Sequence, residues 1–227
     1  QHEGAPRILQ RAHALAHTMR HLPIRIRPRE RLVGNRTPTS RAGVIFPEAS
    51  VEWVDRELES LPTRPQDRFE VPDGVADTFR KEILPYWRGK TLEDRVYSQW
   101  TDDFQQISTV VKINQRDHAQ GHIIPNLRSW LDNGPHGLIT KNRQARASAP
   151  ADKHVFHDAV DIVLHASIEF MQRYASLARA QGHGDDVDRI CETLATGTPE
   201  TYHEALQSAW FLLTLLHLES NASSFSP

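Results

Sequence analysis

The stretch DKHVFHDAVDIVLHASIEFMQRYASLARAQ, residues 152–181, sets Phe156, Ala159, Val163, Ala166, Phe170, Tyr174 and Leu177 at helical spacing. That repeat predicts one long amphipathic helix, stopped at Gly182. Toward the C-terminus a further helix is expected over about Asp186 to Ala195. A last one follows, with Thr198 as its cap, Pro199 in its first turn and Glu200 favourable to the positive end of its dipole. From Ala205 to Leu218 this helix is apolar nearly all round, so it should be buried in something. Toward the N-terminus, residues 140–151 read as polar, basic and exposed. A short helix is expected from Pro125 to Asn133, closed by Gly134-Pro135 and Gly137. Trp100 to Gln120 carries a β-branched run, Ile107 to Ile113, yet its length and polar spacing favour helix.

The first hundred residues continue the pattern. Pro6 suits the first position of a helix that runs through Ile8, Leu9, Ala12, Leu15, Ala16, Met19 and Leu22 and ends at Pro23. Ile24 and Ile26 alternate with Arg25 and Arg27 in a strand-like or extended passage before the Gly34-Asn35 turn. Residues 36–50 read as loop, with short helices expected around 51–61 and 75–87. The chain is therefore expected to be mainly α, without an obvious sheet of its own.

Composition narrows the function classes. In 227 residues with a net charge of −2 and 38% hydrophobic residues there is apolar mass for a real core and no charge excess to draw nucleic acid or an anionic membrane. Cys191 is the single cysteine, which excludes an internal disulfide framework and a Cys-rich metal site. The longest apolar run, Ala209 to Leu216, is too short to span a bilayer. Gln1 stands where a start methionine would, so any targeting segment is left open.

Among candidate site residues, Arg116 and Gln120 in the stretch Gln115 to Pro125 stand first. At a four-residue spacing on a helix they share a face, and a cationic fork beside a neutral amide suits a small oxyanion. The plainer reading is a basic last helical turn that complements the dipole. His13, His17 and His21 recur every four residues, and His118 and His122 repeat the spacing. Zinc-binding H-E-x-x-H helices use such pairs, but Ala119 holds the glutamate's place and no third ligand is evident. No metal site is expected, and the first stripe reads as a solvated helix flank. His154 and His157 carry no stronger signal. Cys191, among apolar neighbours, reads as a small core residue, and Asp102-Asp103 and Asp185-Asp186 as helix-start carboxylates.

Several segments in order resemble the glycyl radical enzymes, the pyruvate formate-lyase-like family. Arg11-Ala12 through Ile26 into Glu30-Arg31-Leu32-Val33-Gly34-Asn35 resembles their N-terminal helix and the turn after it. Phe46-Pro47-Glu48 with Trp53, Glu57 and Leu58, and Ile83 to Thr91, continue the resemblance. Gly121-His122 with Pro125 and Gly134 is similar to a "G-H-x-x-P…G" segment of that family. Glu204 to Phe211, followed by Glu219-Ser220-Asn221, is similar to the helix and loop before its catalytic half. The short Ala195-Thr196-Gly197-Thr198 connector is condensed against the family pattern.

Within the family, Gln115 to Pro125 resembles the isethionate sulfite-lyases, in which an arginine and a glutamine four residues apart hold the sulfonate. The resemblance thus implies substrate binding by Arg116 and Gln120. It also implies that residues 1–227 are the N-terminal portion of a single pyruvate formate-lyase-like domain, a ten-stranded α/β barrel. The implied chemistry is a glycyl radical installed by a separate S-adenosylmethionine-dependent activase, cleavage of isethionate to acetaldehyde and sulfite, and no other bound cofactor. The thiyl cysteine, its glutamate and the radical glycine are expected outside this chain, which would then be inactive alone. Lyases for 2,3-dihydroxypropanesulfonate, diol dehydratases and choline lyases stay open within the family. A non-catalytic helical binding module stays open outside it. A homodimer in an anaerobic cytoplasm, with a microcompartment left open and neither nucleic acid nor membrane as partner, completes what the resemblance implies.

Overall fold

A computed structural model describes residues 4–39, 41–66, 68–111, 124–184 and 186–219. Among these the regular elements are all helical. In chain order they are α1 (Arg7–His21), α2 (Glu52–Glu57), α3 (Val75–Thr78), a π-helical stretch (Phe79–Ile83), α4 (Leu84–Trp87), α5 (Leu92–Tyr97), α6 (Asp102–Val110), α7 (Leu127–Ser148), a 3-10 turn (Ala151–Lys153), α8 (His154–Ala180), α9 (Val187–Thr196) and α10 (Tyr202–Glu219). They divide into two compact units, one around residues 4–38 with 124–219, the other around residues 39–111.

In the first unit α8 is the central element, packed against α1, α7 and α9. Phe170, Met171 and Tyr174 are fully buried on it, as are Ala166 and Ala178. Small residues on the facing helix, Ala12 and Ala16 of α1, permit close approach, and Met19 fills the space between. Phe170, Tyr174 and Phe211 meet edge-on or tilted, with ring centroids 5.2 to 6.2 Å apart. Polar bonds tie the helices in register. Arg173 donates to the carbonyls of Met19 and Leu22, supplying donors that the last turn of α1 lacks. Arg20 pairs with both carboxylate oxygens of Glu169.

α7 departs from the sequence expectation. Gly134 has φ 57° and ψ 177°, a conformation open to glycine, and Pro135 starts a second helical segment that runs on to Ser148. Residues 140–148 are thus helix, and most of them are exposed, as their polar composition suggested. Local periodicity hid this because the tie to α8 is polar. Buried Asn142 donates to the carbonyl of His157 and accepts from its Nδ1, while Arg143 pairs with Asp161 and Arg146 with Asp158.

The second unit is smaller. Val51, Val54, Leu58, Leu61, Phe79 and Leu84 form its core, and Thr91 with Asp94 closes a capping box at the start of α5. The helix expected over 51–61 is the shorter α2, continued by turns through residue 63. The helix expected over 75–87 is present, with the π-helical stretch in its middle.

Candidate functional site

Arg116 and Gln120, with His118 and His122, lie outside the described residues. The described chain reaches that segment through α6, capped by Thr101 and carrying Asp102 and Asp103 in its first turn. It resumes at Ile124, where Asn126 caps α7 by accepting from the amide of Ser129. α6 leaves Phe104, Ile107 and Val110 exposed, as is Val111 just past its end. Beside it, Tyr97, Trp100, Gln105, Gln106, Ser108 and Thr109 line an open cleft of about 500 Å³.

The described residue set that the sequence marked most clearly is the Glu30–Asn35 turn. Among the described residues no strand pairs with it; side chains satisfy its backbone instead. The carbonyl of Glu30 accepts from His183 and that of Arg31 from His203. Gln207 takes both backbone groups of Val33, accepting from its amide at 2.8 Å and donating to its carbonyl at 2.6 Å. Trp210 donates to the carbonyl of Gly34. Gly34 itself has φ 143°, and a Cβ there would stand 3.0 Å from the indole of Trp210.

Asn35 completes the device. Its amide donates to the hydroxyl of Tyr174, its Oδ1 accepts from Tyr174 and from the amide of Arg25, and its Nδ2 donates to the carbonyls of Pro23 and Thr37. This explains why the Ile24–Ile26 passage is extended without being a strand: an asparagine side chain stands where a partner strand's backbone would. Burial raises the Tyr174 hydroxyl well above its ordinary pKa, so it stays protonated and can donate.

α10 starts later than the sequence suggests. Thr201 is the capping residue, accepting from the amide of Glu204, while Glu204 accepts from the amides of Glu200 and Thr201. Thr198 is not the cap, because the reciprocal partner three residues on is Glu204. Its carboxyl is 2% exposed as a residue and is held below the usual carboxylate range, first by the Glu200 amide, then by Thr201 and Arg189, against the opposing effect of burial. One face of α10 buries Phe211, Leu215 and Leu218; the other leaves Tyr202 80%, Leu206 40% and Trp210 41% exposed.

Gly134 and Gly197 meet backbone to backbone. A Cβ on Gly134 would fall 2.3 Å from the carbonyl oxygen of Gly197. The condensed 195–198 connector is therefore the surface on which the α7 kink rests. Cys191 is fully buried, and burial pushes its thiol up to about 12, so it is inert as a nucleophile in this fold. Among the described residues no group of three or more His, Cys, Asp or Glu side chains is arranged to hold a metal ion, and no helix is long and apolar enough to cross a membrane.

Known proteins resemble this chain in sequence and fold. The chain is 31% identical over its whole length to the probable dehydratase YbiW of Escherichia coli (strain K12) and 31% identical, again over its whole length, to a (2S)-3-sulfopropanediol dehydratase of Klebsiella oxytoca. An isethionate sulfite-lyase of Oleidesulfovibrio alaskensis is 26% identical over 98% of the chain. The chain spans about 30% of the length of each of these relatives. A crystal structure of a glycyl radical enzyme from Archaeoglobus fulgidus superposes on 96% of the chain with a TM-score of 0.83 and 30% identity, using 30% of its own length. All 227 residues match the family described as pyruvate formate lyase-like, and the chain belongs to that family of glycyl radical enzymes.

Proposed function

We propose that this chain is the N-terminal portion of a glycyl radical lyase that acts on a small hydroxylated sulfonate, with isethionate as the leading candidate. Arg116 and Gln120 are its sulfonate-binding pair. The observation that carries the reading is the Arg–Gln spacing in a chain whose relatives include an isethionate sulfite-lyase and a sulfopropanediol dehydratase. A sulfonate stays anionic throughout the physiological range, so its partner must be a cation that does not deprotonate, which arginine provides. Each charge-assisted hydrogen bond contributes about 1.5–3 kcal/mol, and an uncompensated buried anion costs about 3–5 kcal/mol. Carbon–sulfur cleavage would then proceed by radical chemistry on residues outside this chain, in a ten-stranded barrel activated by a separate S-adenosylmethionine enzyme. A homodimer in an anaerobic cytoplasm belongs to the same proposal.

The second reading is dehydration of a sulfonated diol. It is favoured by the 31% identity to the sulfopropanediol dehydratase, against 26% to the isethionate sulfite-lyase. Calorimetric titration of the full-length, radical-free protein with isethionate and with 3-sulfopropanediol separates the two by affinity. Arg116→Lys and Gln120→Ala should each weaken the preferred sulfonate about tenfold or more, one hydrogen bond's worth. Wild-type affinity in both variants would sink the assignment of the pair, and tighter binding of glycerol than of either sulfonate would sink the substrate class.

A further inference from the structure

His13, His17 and His21 follow one turn apart on α1; His13 is half-buried, while His17 and His21 are exposed, away from the buried Ala12, Ala16 and Met19. Spacing alone made these a solvated flank. The structure brings two of them together: the rings of His17 and His21 stack with centroids 4.0 Å apart and planes 25° from parallel. The Nδ1 of His21 lies 2.8 Å from the carbonyl oxygen of His17. A carbonyl only accepts, so Nδ1 of His21 is the donor there, and Nε2 is the ring nitrogen left for a further contact. Metal-ligating histidines are typically oriented this way, one ring nitrogen anchored on a carbonyl and the other free to coordinate. Both residues are exposed, and neither forms an ion pair with a carboxylate among the described residues.

We propose that His17 and His21 form a surface bis-imidazole site for a divalent transition metal, Zn²⁺ or Cu²⁺. Nε2 of His21 and one ring nitrogen of His17 are the protein ligands, and water completes the shell. Zinc–nitrogen bonds of about 2.0–2.1 Å set two nitrogens on one tetrahedral ion about 3.3 Å apart. The 4.0 Å between His17 and His21 is a separation of ring centroids in near-parallel planes, so both exposed rings must turn out of the stack to aim one nitrogen each at the ion. Two neutral nitrogens suit Cu²⁺, Ni²⁺ and Zn²⁺ and offer nothing to Mg²⁺ or Ca²⁺, which take oxygen ligands. With two protein ligands in place of four, the site recruits metal without being needed for folding.

The test is titration of the tag-free chain with Zn²⁺ by calorimetry and with Cu²⁺ by electron paramagnetic resonance. All samples carry His2→Asn, which removes the imidazole nearest the amino end. One metal should bind per chain, with nitrogen hyperfine structure from two imidazoles. His17→Asn and His21→Asn should each weaken binding about tenfold or more. His13→Asn should leave affinity within about twofold, Mg²⁺ should not bind, and circular dichroism should match between the His17 and His21 variants because those two rings are exposed. Binding that survives both His17→Asn and His21→Asn overturns the proposal. So does binding abolished by His13→Asn, or failure of the unsubstituted pair to take up Zn²⁺.

Discussion

Gln207 of α10 closes a pair of hydrogen bonds on the backbone of Val33, 174 residues earlier in the chain, and both residues are buried. A glutamine carboxamide presents an acceptor and a donor in one plane, as a neighbouring strand would, and so takes the place of a strand beside Val33. Gln207→Leu keeps the volume and removes both partners, leaving two buried backbone groups unsatisfied. It should cost about 2–4 kcal/mol in urea unfolding. A loss below about 0.5 kcal/mol would show that water reaches Val33.

Gly134→Ala should be among the most disruptive single-methyl changes in the chain. Its Cβ would overlap the carbonyl of Gly197 at 2.3 Å, and φ 57° with ψ 177° disfavours any side chain. We expect a loss of about 3 kcal/mol or more. Gly182 also has φ 57°, but nothing lies within 4 Å of its built Cβ, so Gly182→Ala should cost only about 1–2 kcal/mol. Thermal unfolding of the two variants side by side checks the order.

Glu204 gives stability a pH dependence whose sign can be stated. Its folded pKa lies below its unfolded value, so its contribution is complete above the ordinary carboxylate pKa and is lost as pH falls through the folded one. Glu204→Gln should destabilise by about 1 kcal/mol near neutrality, the typical worth of a cap. The gap from wild type should begin to narrow near the ordinary carboxylate pKa of about 4.3 and shrink further as pH falls. Denaturant melts from pH 3 to pH 7 provide the measurement; a gap that widens in acid would contradict the assignment.

Cys191 should not react with a disulfide reagent in the native chain, being fully buried with its thiol pushed up to about 12. Modification should follow global unfolding, so its rate should rise with urea in parallel with the loss of helix signal. Stoichiometric labelling of the folded chain within minutes would show that α9 opens locally.

Much of this was readable without coordinates. The helix over residues 154–180 announced itself through its repeat, because one continuous face packs on a core, and Cys191 was readable as core for the same reason. The continuation of α7 past Gly134 was not. Its ties to α8 run through Asn142, Arg143 and Arg146, polar residues that carry no hydrophobic period. Misplacing the α10 cap by three residues had a similar cause: Thr198 and Thr201 are equivalent as isolated threonines, and only the fit of Glu204 to two amides chooses between them.

By itself the sequence determined that the chain is helical and that it resembles the family in which it is now placed, because periodicity and ordered motifs are local properties of a string. Tertiary structure alone decided how the Glu30–Asn35 turn is held. His183, His203, Gln207, Trp210 and Tyr174 reach it from 139 to 176 residues away, and hydrogen bonds between groups so separated leave no period in the sequence.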